Sequence, residues 1–364
     1  MKARLRQTLL YLIYLALAVL VPLEFAVRHF VVAGQDYGYL VVEPDQQPFF
    51  RLANEYRDKH TTVRDGRREV LPRGTRPEAV AFVGDSVTFG THLPDALTFV
   101  EQLQASQQKF DAYNFGVPGY GLPEIEQVIA KVAAAGQFPT IVYTFNFNDI
   151  HPAMAGTLVL LTDSQSRFAS LEQYDGWRGQ LKEFGKDYWK TLYVAKDLYG
   201  RLRGLDAEAR SPPPSSAQEG HAESATLCYQ DALLQAQDDA FQKPDRLWKR
   251  MYVDPALQTK LRATLRSMRD LSERGGSRLL LAVNYDLLLL EQGTDIQYKA
   301  IIEDAARAAG ITVIATHDLF REHFRTCGFF GDPRHLGSFG AKLYAARLQE
   351  SLQGVASAVL SKRP

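Results

Sequence analysis

The sequence predicts an α/β fold, a doubly wound, five-stranded, mainly parallel sheet interrupted by one long insertion. Two observations carry this expectation. Short apolar runs alternate with amphipathic runs of helical period over residues 78–150 and again over 256–355, and strands that alternate with helices pair in parallel through crossovers. Residues 151–255, between the two stretches, do not follow the alternation. A chain of 364 residues has room for such a core. Its 42 basic and 42 acidic residues cancel, so no global field draws in nucleic acid or acidic lipid.

At the start, Lys2, Arg4 and Arg6 precede an uncharged, mostly apolar run from Gln7 to Leu23, and Glu24, Arg28 and His29 follow it. This pattern predicts a membrane anchor within residues 1–30, its apolar surface at 8–27. The basic leader then leaves the N-terminus in the cytoplasm and the remainder extracytoplasmic, or periplasmic. A cleaved signal is the alternative, with Val31-Val32-Ala33 as a weak cleavage site before Gly34. Residues 31–77 are mixed and polar and read as an exposed lead-in.

From Ala79 the repeat begins. AVAFVGD reads as a buried strand, LTFVEQLQASQ as an amphipathic helix, and DAYNFGVPG as a second strand entering a glycine turn. LPEIEQVIAKVAAAG has Pro123 in its first turn, apolar residues three and four apart, and Gly136 as its stop, so it reads as a helix. PTIVYTFNFND is a third strand. The insertion, 151–255, holds an aromatic, charged segment around Trp177 and Trp189, then DAEARSPPPSSAQEGHAES. Few apolar residues and three consecutive prolines in that second piece predict a disordered loop near 206–224. The repeat resumes over 256–358: helix PALQTKLRATLRSMRDLSERGG, strand SRLLLAVNYD, helix IQYKAIIEDAARAAG, strand ITVIATHD and closing helix HLGSFGAKLYAARLQESL. Cys228 and Cys327 could close one disulfide in an exported domain or remain two buried thiols.

In an open α/β sheet, ligands bind beyond the carboxyl ends of the strands. Three expected strands end there on polar groups: Gly84-Asp85-Ser86, Asn114 to Gly119, and Asn146-Phe147-Asn148-Asp149. Far downstream, Asp332-Pro333-Arg334-His335 stands just before the last helix. Singly, each has a plainer reading. Ser86 could cap a helix, Gly119 could serve a turn, Asn148 and Asp149 could cap or turn, and Asp332 and His335 could lie on the surface.

Together, and in this order, they resemble the SGNH (GDSL-type) hydrolase family, over about residues 78–150 and 256–355. The resemblance implies a flavodoxin-like SGNH fold and a serine esterase site. Ser86 would be the nucleophile, His335 the base and Asp332 the acid that orients it, with Asp318 next in line for that role. The oxyanion hole would comprise the backbone N–H of Ser86, the backbone N–H of Gly119 and the side-chain amide of Asn148. One position departs from the family pattern. The third block usually has glycine two residues before its asparagine, where this chain has Asn146, whose side chain could narrow the oxyanion pocket or touch substrate.

The chemistry needs these residue types. A serine hydroxyl is a poor nucleophile until a base takes its proton, and an imidazole titrating near neutrality can take it and later return it. A carboxylate on the other ring nitrogen fixes the tautomer, and aimed donors stabilise the tetrahedral oxyanion. No cofactor or metal is implied: GVPGYG lacks dinucleotide-loop spacing, no Walker-type lysine follows a glycine run, and His317, Asp318 and His323 form no paired-histidine motif. The expected function is hydrolysis of an O-acyl ester, O-acetyl in the first instance, on an envelope or secreted polysaccharide or a lipid, alongside envelope biosynthesis proteins. A polysaccharide O-acyltransferase would use the same three residues, and a non-catalytic glycan- or partner-binding scaffold would have no physical need of them.

Overall fold

The computed structural model describes residues 2–26, 36–37, 39–42, 50–71, 74, 76–150, 227–237, 249 and 252–360. The disordered loop expected near 206–224, and most of the insertion, lie outside the described residues. The chain divides into two compact units, residues 1–51 with 156–213 and residues 52–155 with 214–364.

In the first unit, the apolar N-terminal run forms helix α1 (Lys2–Ala26), with Pro22 inside it. The helix expected over 8–27 therefore forms, but among the described residues no helix is long and apolar enough to cross a membrane. Tyr11 and Tyr14 dilute the run, and Pro22 and Glu24 enter its last turns. Strands β1 (Asp36–Tyr37) and β2 (Leu40–Val42) pair antiparallel, and β3 (Phe50–Leu52) completes a three-stranded sheet.

The second unit is built on one mixed sheet. Its strands are β4 (Glu55–Arg57), β5 (Thr62–Arg64), β6 (Arg67–Arg68), β7 (Glu78–Gly84), β8 (Phe110–Gly116), β9 (Thr140–Phe145), β10 (Arg278–Val283) and β11 (Thr312–Ile314). They lie in the order β11-β10-β9-β7-β8-β6-β5-β4. The first five in that order are the expected strands, all parallel, and their arrangement is the doubly wound one in which the first strand sits inside the second.

The sheet has eight strands, not five, and is mixed. Residues 55–68, expected as exposed lead-in, add an antiparallel ribbon, with Arg68 of β6 opposite Asn114 of β8. Strands of two or three residues are too short to show the period-two alternation by which a strand is read from sequence.

The parallel strands are apolar because both faces are covered. Phe82, Val83, Ile141, Val142, Leu281 and Ala282 are fully buried, and burial of each large side chain contributes about 1.5–3 kcal/mol. Helix α2 (Ser86–Phe89) follows β7, then α3 (Phe99–Ser106), and α4 (Leu122–Ala134) follows β8. Helix α5 (Tyr229–Ala236) precedes α6 (Pro255–Arg274), whose start is fixed by Pro255 and by Asp254 accepting the Ala256 N–H at 2.8 Å. Beyond β10 come α7 (Leu287–Glu291), α8 (Asp295–Ala308), α9 (His317–His323) and α10 (Ser338–Leu360). Helices α4, α6 and α8 pack in one group, and α3, α10 and α9 in another. Strand register aligns the carboxyl ends: Gly84 lies opposite Gly116 and Thr144, and Phe145 opposite Val283.

Cys228 and Cys327 form a disulfide with Cα atoms 4.0 Å apart, closing a separation of 99 residues. It anchors α5 beside the segment that leads into Asp332, where the Gly328 N–H also donates to the Leu227 carbonyl at 2.8 Å. A loop of this length is costly to close in the unfolded chain. Replacing both cysteines by serine should therefore lower stability by about 2–4 kcal/mol. Equilibrium denaturant unfolding of the double variant checks this, and an unchanged midpoint would mean that the bond is not closed in solution.

Candidate active site

The turn after β7 assigns two adjacent residues to different tasks. Asp85, not Ser86, caps α2: its Oδ1 accepts the Val87 N–H at 2.9 Å. Ser86 is then the first helical residue, and its hydroxyl is left for other partners. Its Oγ lies 2.8 Å from His335 Nε2 and 3.3 Å from Asp85 Oδ2.

His335 comes from a loop held at several points. Asn284, just past β10, donates from Nδ2 to the Arg334 carbonyl at 3.2 Å, and the Leu287 N–H donates to the Pro333 carbonyl at 2.9 Å. A bridge between Phe330 and Leu336 closes the loop's neck. Within it, Asp332 Oδ1 accepts the backbone N–H groups of Arg334 at 2.7 Å and His335 at 2.8 Å. Asp332 Oδ2 lies 2.7 Å from His335 Nδ1. The structure thus brings Ser86, His335 and Asp332 into one hydrogen-bonded line across 249 residues of sequence. Asp318 is 86 % exposed beside His317 and takes no part in it.

The electrostatics follow from this line. Burial opposes a charged His335 ring, but the charge and hydrogen bond of Asp332, with Asp85 adding, push its pKa above the ordinary value. Burial likewise opposes an ionised Asp332. The charge and hydrogen bond of His335, with a smaller contribution from His92, hold it well below the usual carboxylate range. A crevice lined by Val87, Leu93, Phe99, Leu336 and Ala341 adjoins Ser86 and His335 and gives the pair an apolar flank.

The three expected oxyanion donors all lie at the carboxyl edge of the sheet. Ser86 begins α2. Gly119 is the third residue of a turn closed by the Tyr120 N–H on the Val117 carbonyl at 3.2 Å, and its φ of 84° is the one that a type II turn requires there. Asn148 lies buried in the short 3₁₀ turn Phe147–Ile150 that follows β9. Gly116 permits the close approach of α2 to β8, since a Cβ there would stand 2.2 Å from the Phe89 nitrogen.

Asn146, the departure from the family pattern, is engaged with its neighbours. It is buried, its Nδ2 donates to Asp85 Oδ2 at 3.3 Å, and its Oδ1 accepts the Phe147 N–H at 2.9 Å. Asp149 is turned inward, accepting from the Tyr143 hydroxyl at 2.7 Å and the Asn146 N–H at 2.9 Å. Burial and the nearby Asp85 push its carboxyl well above the usual range.

Three residues that contact this cluster escape sequence reasoning. Arg68 is 1 % exposed, and donates to the carbonyls of Phe89 (2.8 Å), Gly90 (2.7 Å) and Leu93 (2.6 Å), pairing through Nε with Asp95 at 2.8 Å. It fixes the chain just after Ser86, yet lies in a polar stretch with no strand signal. Asn284 could have been found, since it ends an apolar strand on a polar group like the other three. His92 reaches Asp332 Oδ2 at 3.2 Å, and nothing in its local sequence marks it. Among the described residues, His92, Asp332 and His335 are the one group whose potential metal-ligand atoms lie within 4.8 Å of one another, and two of the three belong to the hydrogen-bonded line. His317 instead bonds to buried Asp295 at 2.6 Å, and His323 lies beside Glu322.

These shifts predict a pH profile. A general base must be neutral, so kcat/KM for an ester should rise as pH passes a midpoint above the ordinary histidine value of roughly 6.5. Asp332→Asn removes the charge that raises the ring and leaves burial, which lowers it, so the midpoint should move down and kcat should fall. Unchanged rate and midpoint in that variant would remove Asp332 from the role of orienting acid.

No protein-family model matches the sequence, and no curated protein matches it. Solved structures are similar to it at low identity. A lipolytic protein of the G-D-S-L family from Veillonella parvula is 16 % identical, over 75 % of this chain and 96 % of its own, with a TM-score of 0.39. An acetylxylan esterase from Geobacillus stearothermophilus, in a catalytic mutant form, is 13 % identical over 77 % of this chain and 95 % of its own, with a TM-score of 0.40. A lipase/acylhydrolase from Enterococcus faecalis is 11 % identical over 76 % and 96 %, with a TM-score of 0.40.

Proposed function

We propose that the protein is a serine esterase of the SGNH type that cleaves an O-acyl ester through an acyl-enzyme on Ser86. The observation that carries this reading is the Ser86–His335–Asp332 line, with 2.8 Å and 2.7 Å links. Ser86 Oγ attacks the acyl carbon as its proton passes to His335 Nε2, and Asp332 stabilises the imidazolium that forms. The Ser86 and Gly119 N–H groups and the Asn148 amide receive the oxyanion, each donor worth roughly 10²–10³ in rate. His335 then returns the proton to the leaving alkoxide, and water repeats the sequence on the acyl-enzyme. The purified protein should label with a fluorophosphonate. Ser86→Ala should abolish both labelling and turnover of p-nitrophenyl acetate while the fold survives. Equal turnover by the two proteins would remove Ser86 from the mechanism.

The substrate we propose is an O-acetylated envelope or secreted polysaccharide. It follows from location, which rests on the basic leader before the apolar run and on a disulfide of the kind that persists in oxidising compartments. In this reading residues 8–27 hold the chain at the cytoplasmic membrane and the catalytic unit is extracytoplasmic. A C-terminal alkaline phosphatase fusion should be active and a C-terminal green fluorescent protein fusion dark; the reverse would overturn the location and the polysaccharide substrate with it. Incubation with acetylated polysaccharide should release acetate, whereas acetate carried to an acceptor glycan would assign the same acyl-enzyme to a transferase.

A further inference from the structure

A second histidine shares the triad carboxylate. His92 Nε2 lies 3.2 Å from Asp332 Oδ2, the same oxygen that His335 Nδ1 meets at 2.7 Å, and the two rings meet edge to face with centroids 5.3 Å apart. With the Arg334 and His335 backbone N–H groups on Oδ1 and the His335 ring on Oδ2, Asp332 takes three hydrogen bonds, and His92 Nε2 adds a fourth polar contact, on Oδ2. An ionised carboxylate offers about four such positions. The His92 side chain is 30 % exposed, so it stands at the rim, where solvent would otherwise hydrate Oδ2.

The backbone at this point disfavours the residue that occupies it. His92 is the third residue of a turn closed by the Leu93 N–H on the Gly90 carbonyl at 3.1 Å, and its φ is 69°. Glycine or asparagine suits that position best. The turn is held from beneath by Arg68, which takes the carbonyls on both sides, of Gly90 and Leu93. The strained residue is thus fixed where its ring reaches the acid.

We propose that His92 is a positioning residue of the triad, acting through Asp332 and not on substrate, a role that rests on the serine esterase reading above. Its Nε2–H holds Oδ2 in line with His335 Nδ1 and draws off part of the carboxylate's negative charge. The groups facing this cluster are Asp332, His335 and Arg334 on the loop, Asp85 behind His335, and Arg68 with Asp95 beneath the turn. Of these, Asp332 meets both rings. Removing the His92 donor leaves a more negative carboxylate facing His335, so the His335 midpoint rises whether His92 is neutral or charged.

His92→Asn tests this, because asparagine accepts the positive φ but its amide stops short of Asp332. His92→Gly suits the same backbone and serves if the asparagine variant fails to fold. In the truncated variants, with thermal unfolding near wild type, kcat on p-nitrophenyl acetate should fall about tenfold, as expected for losing a hydrogen bond to a charged group. KM should stay nearly constant, and the kcat/KM midpoint should move up. His92→Gln, whose amide nitrogen reaches about as far as Nε2, should restore both rate and midpoint. Wild-type kcat and midpoint in His92→Asn or His92→Gly, with Ser86→Ala inactive, would overturn the role of His92 alone, as would a glutamine variant no better than asparagine. Activity persisting in Ser86→Ala would instead overturn the serine esterase reading, and this role with it.

Discussion

Asp332 commits Oδ1 to the backbone of its own loop and Oδ2 to the ring of His335, so a single carboxylate fixes the loop's shape, the imidazole's tautomer and the direction in which Nε2 points. The remainder of the site depends on that arrangement. With only two residues between Asp332 and His335, the backbone that carries them must fold back on itself, and the two N–H bonds to Oδ1 are what hold it there. The Pro333 and Arg334 carbonyls are in turn held from the end of β10. An error in the loop would be felt directly at Ser86, which meets His335 through one 2.8 Å contact.

The Ser86 side of that contact is fixed by different means. Asp85 takes the capping role, which frees the Ser86 hydroxyl, and Gly116 lets the short helix lie directly against β8. Arg68 then holds the three carbonyls that follow, with its guanidinium 4.7 Å from the centre of the Phe89 ring. A buried arginine is costly unless its donors are met. Here carbonyls and Asp95 meet them, and the antiparallel ribbon that carries Arg68 becomes part of the machinery that places Ser86. This gives the added strands a purpose beyond covering the sheet's edge.

The legible parts of the chain were those with periodicity or with conspicuous residues in order. Helices α4, α6, α8 and α10 and the parallel strands declare themselves through apolar spacing, and Ser86, Asn148, Asp332 and His335 through their places at strand ends or before the last helix. What stayed hidden is non-local or short. Arg68 looks like any surface arginine until its carbonyl partners, 21 to 25 residues away, are folded over it. The two-residue strand that holds it has no pattern to display. His92 gains its meaning only when a loop some 240 positions later arrives beside it, and no local rule reports such a meeting. The pairing of Cys228 with Cys327 could be posed from sequence but not decided, because it depends on where the insertion returns.

The buried carboxyls near the oxyanion donors pose an electrostatic problem that the fold resolves. An oxyanion forming near Asn148 would be opposed by any ionised carboxylate close by, and in a poorly solvated site that opposition reaches several kcal/mol. Asp85 and Asp149 are both fully buried there. Burial and the proximity of Asp85 push the Asp149 carboxyl well above the usual range, which disfavours its charged form. Asp85 is surrounded by donors: the Val87 N–H, the Asn146 amide and the Ser86 hydroxyl. Asn146, at the position where the family that the sequence resembles usually carries glycine, gives both carboxyls a donor. Its amide donates to Asp85 Oδ2, and its backbone N–H donates to Asp149 Oδ2. The side chain that from sequence could narrow the oxyanion pocket or touch substrate is engaged instead with Asp85 and the Phe147 N–H.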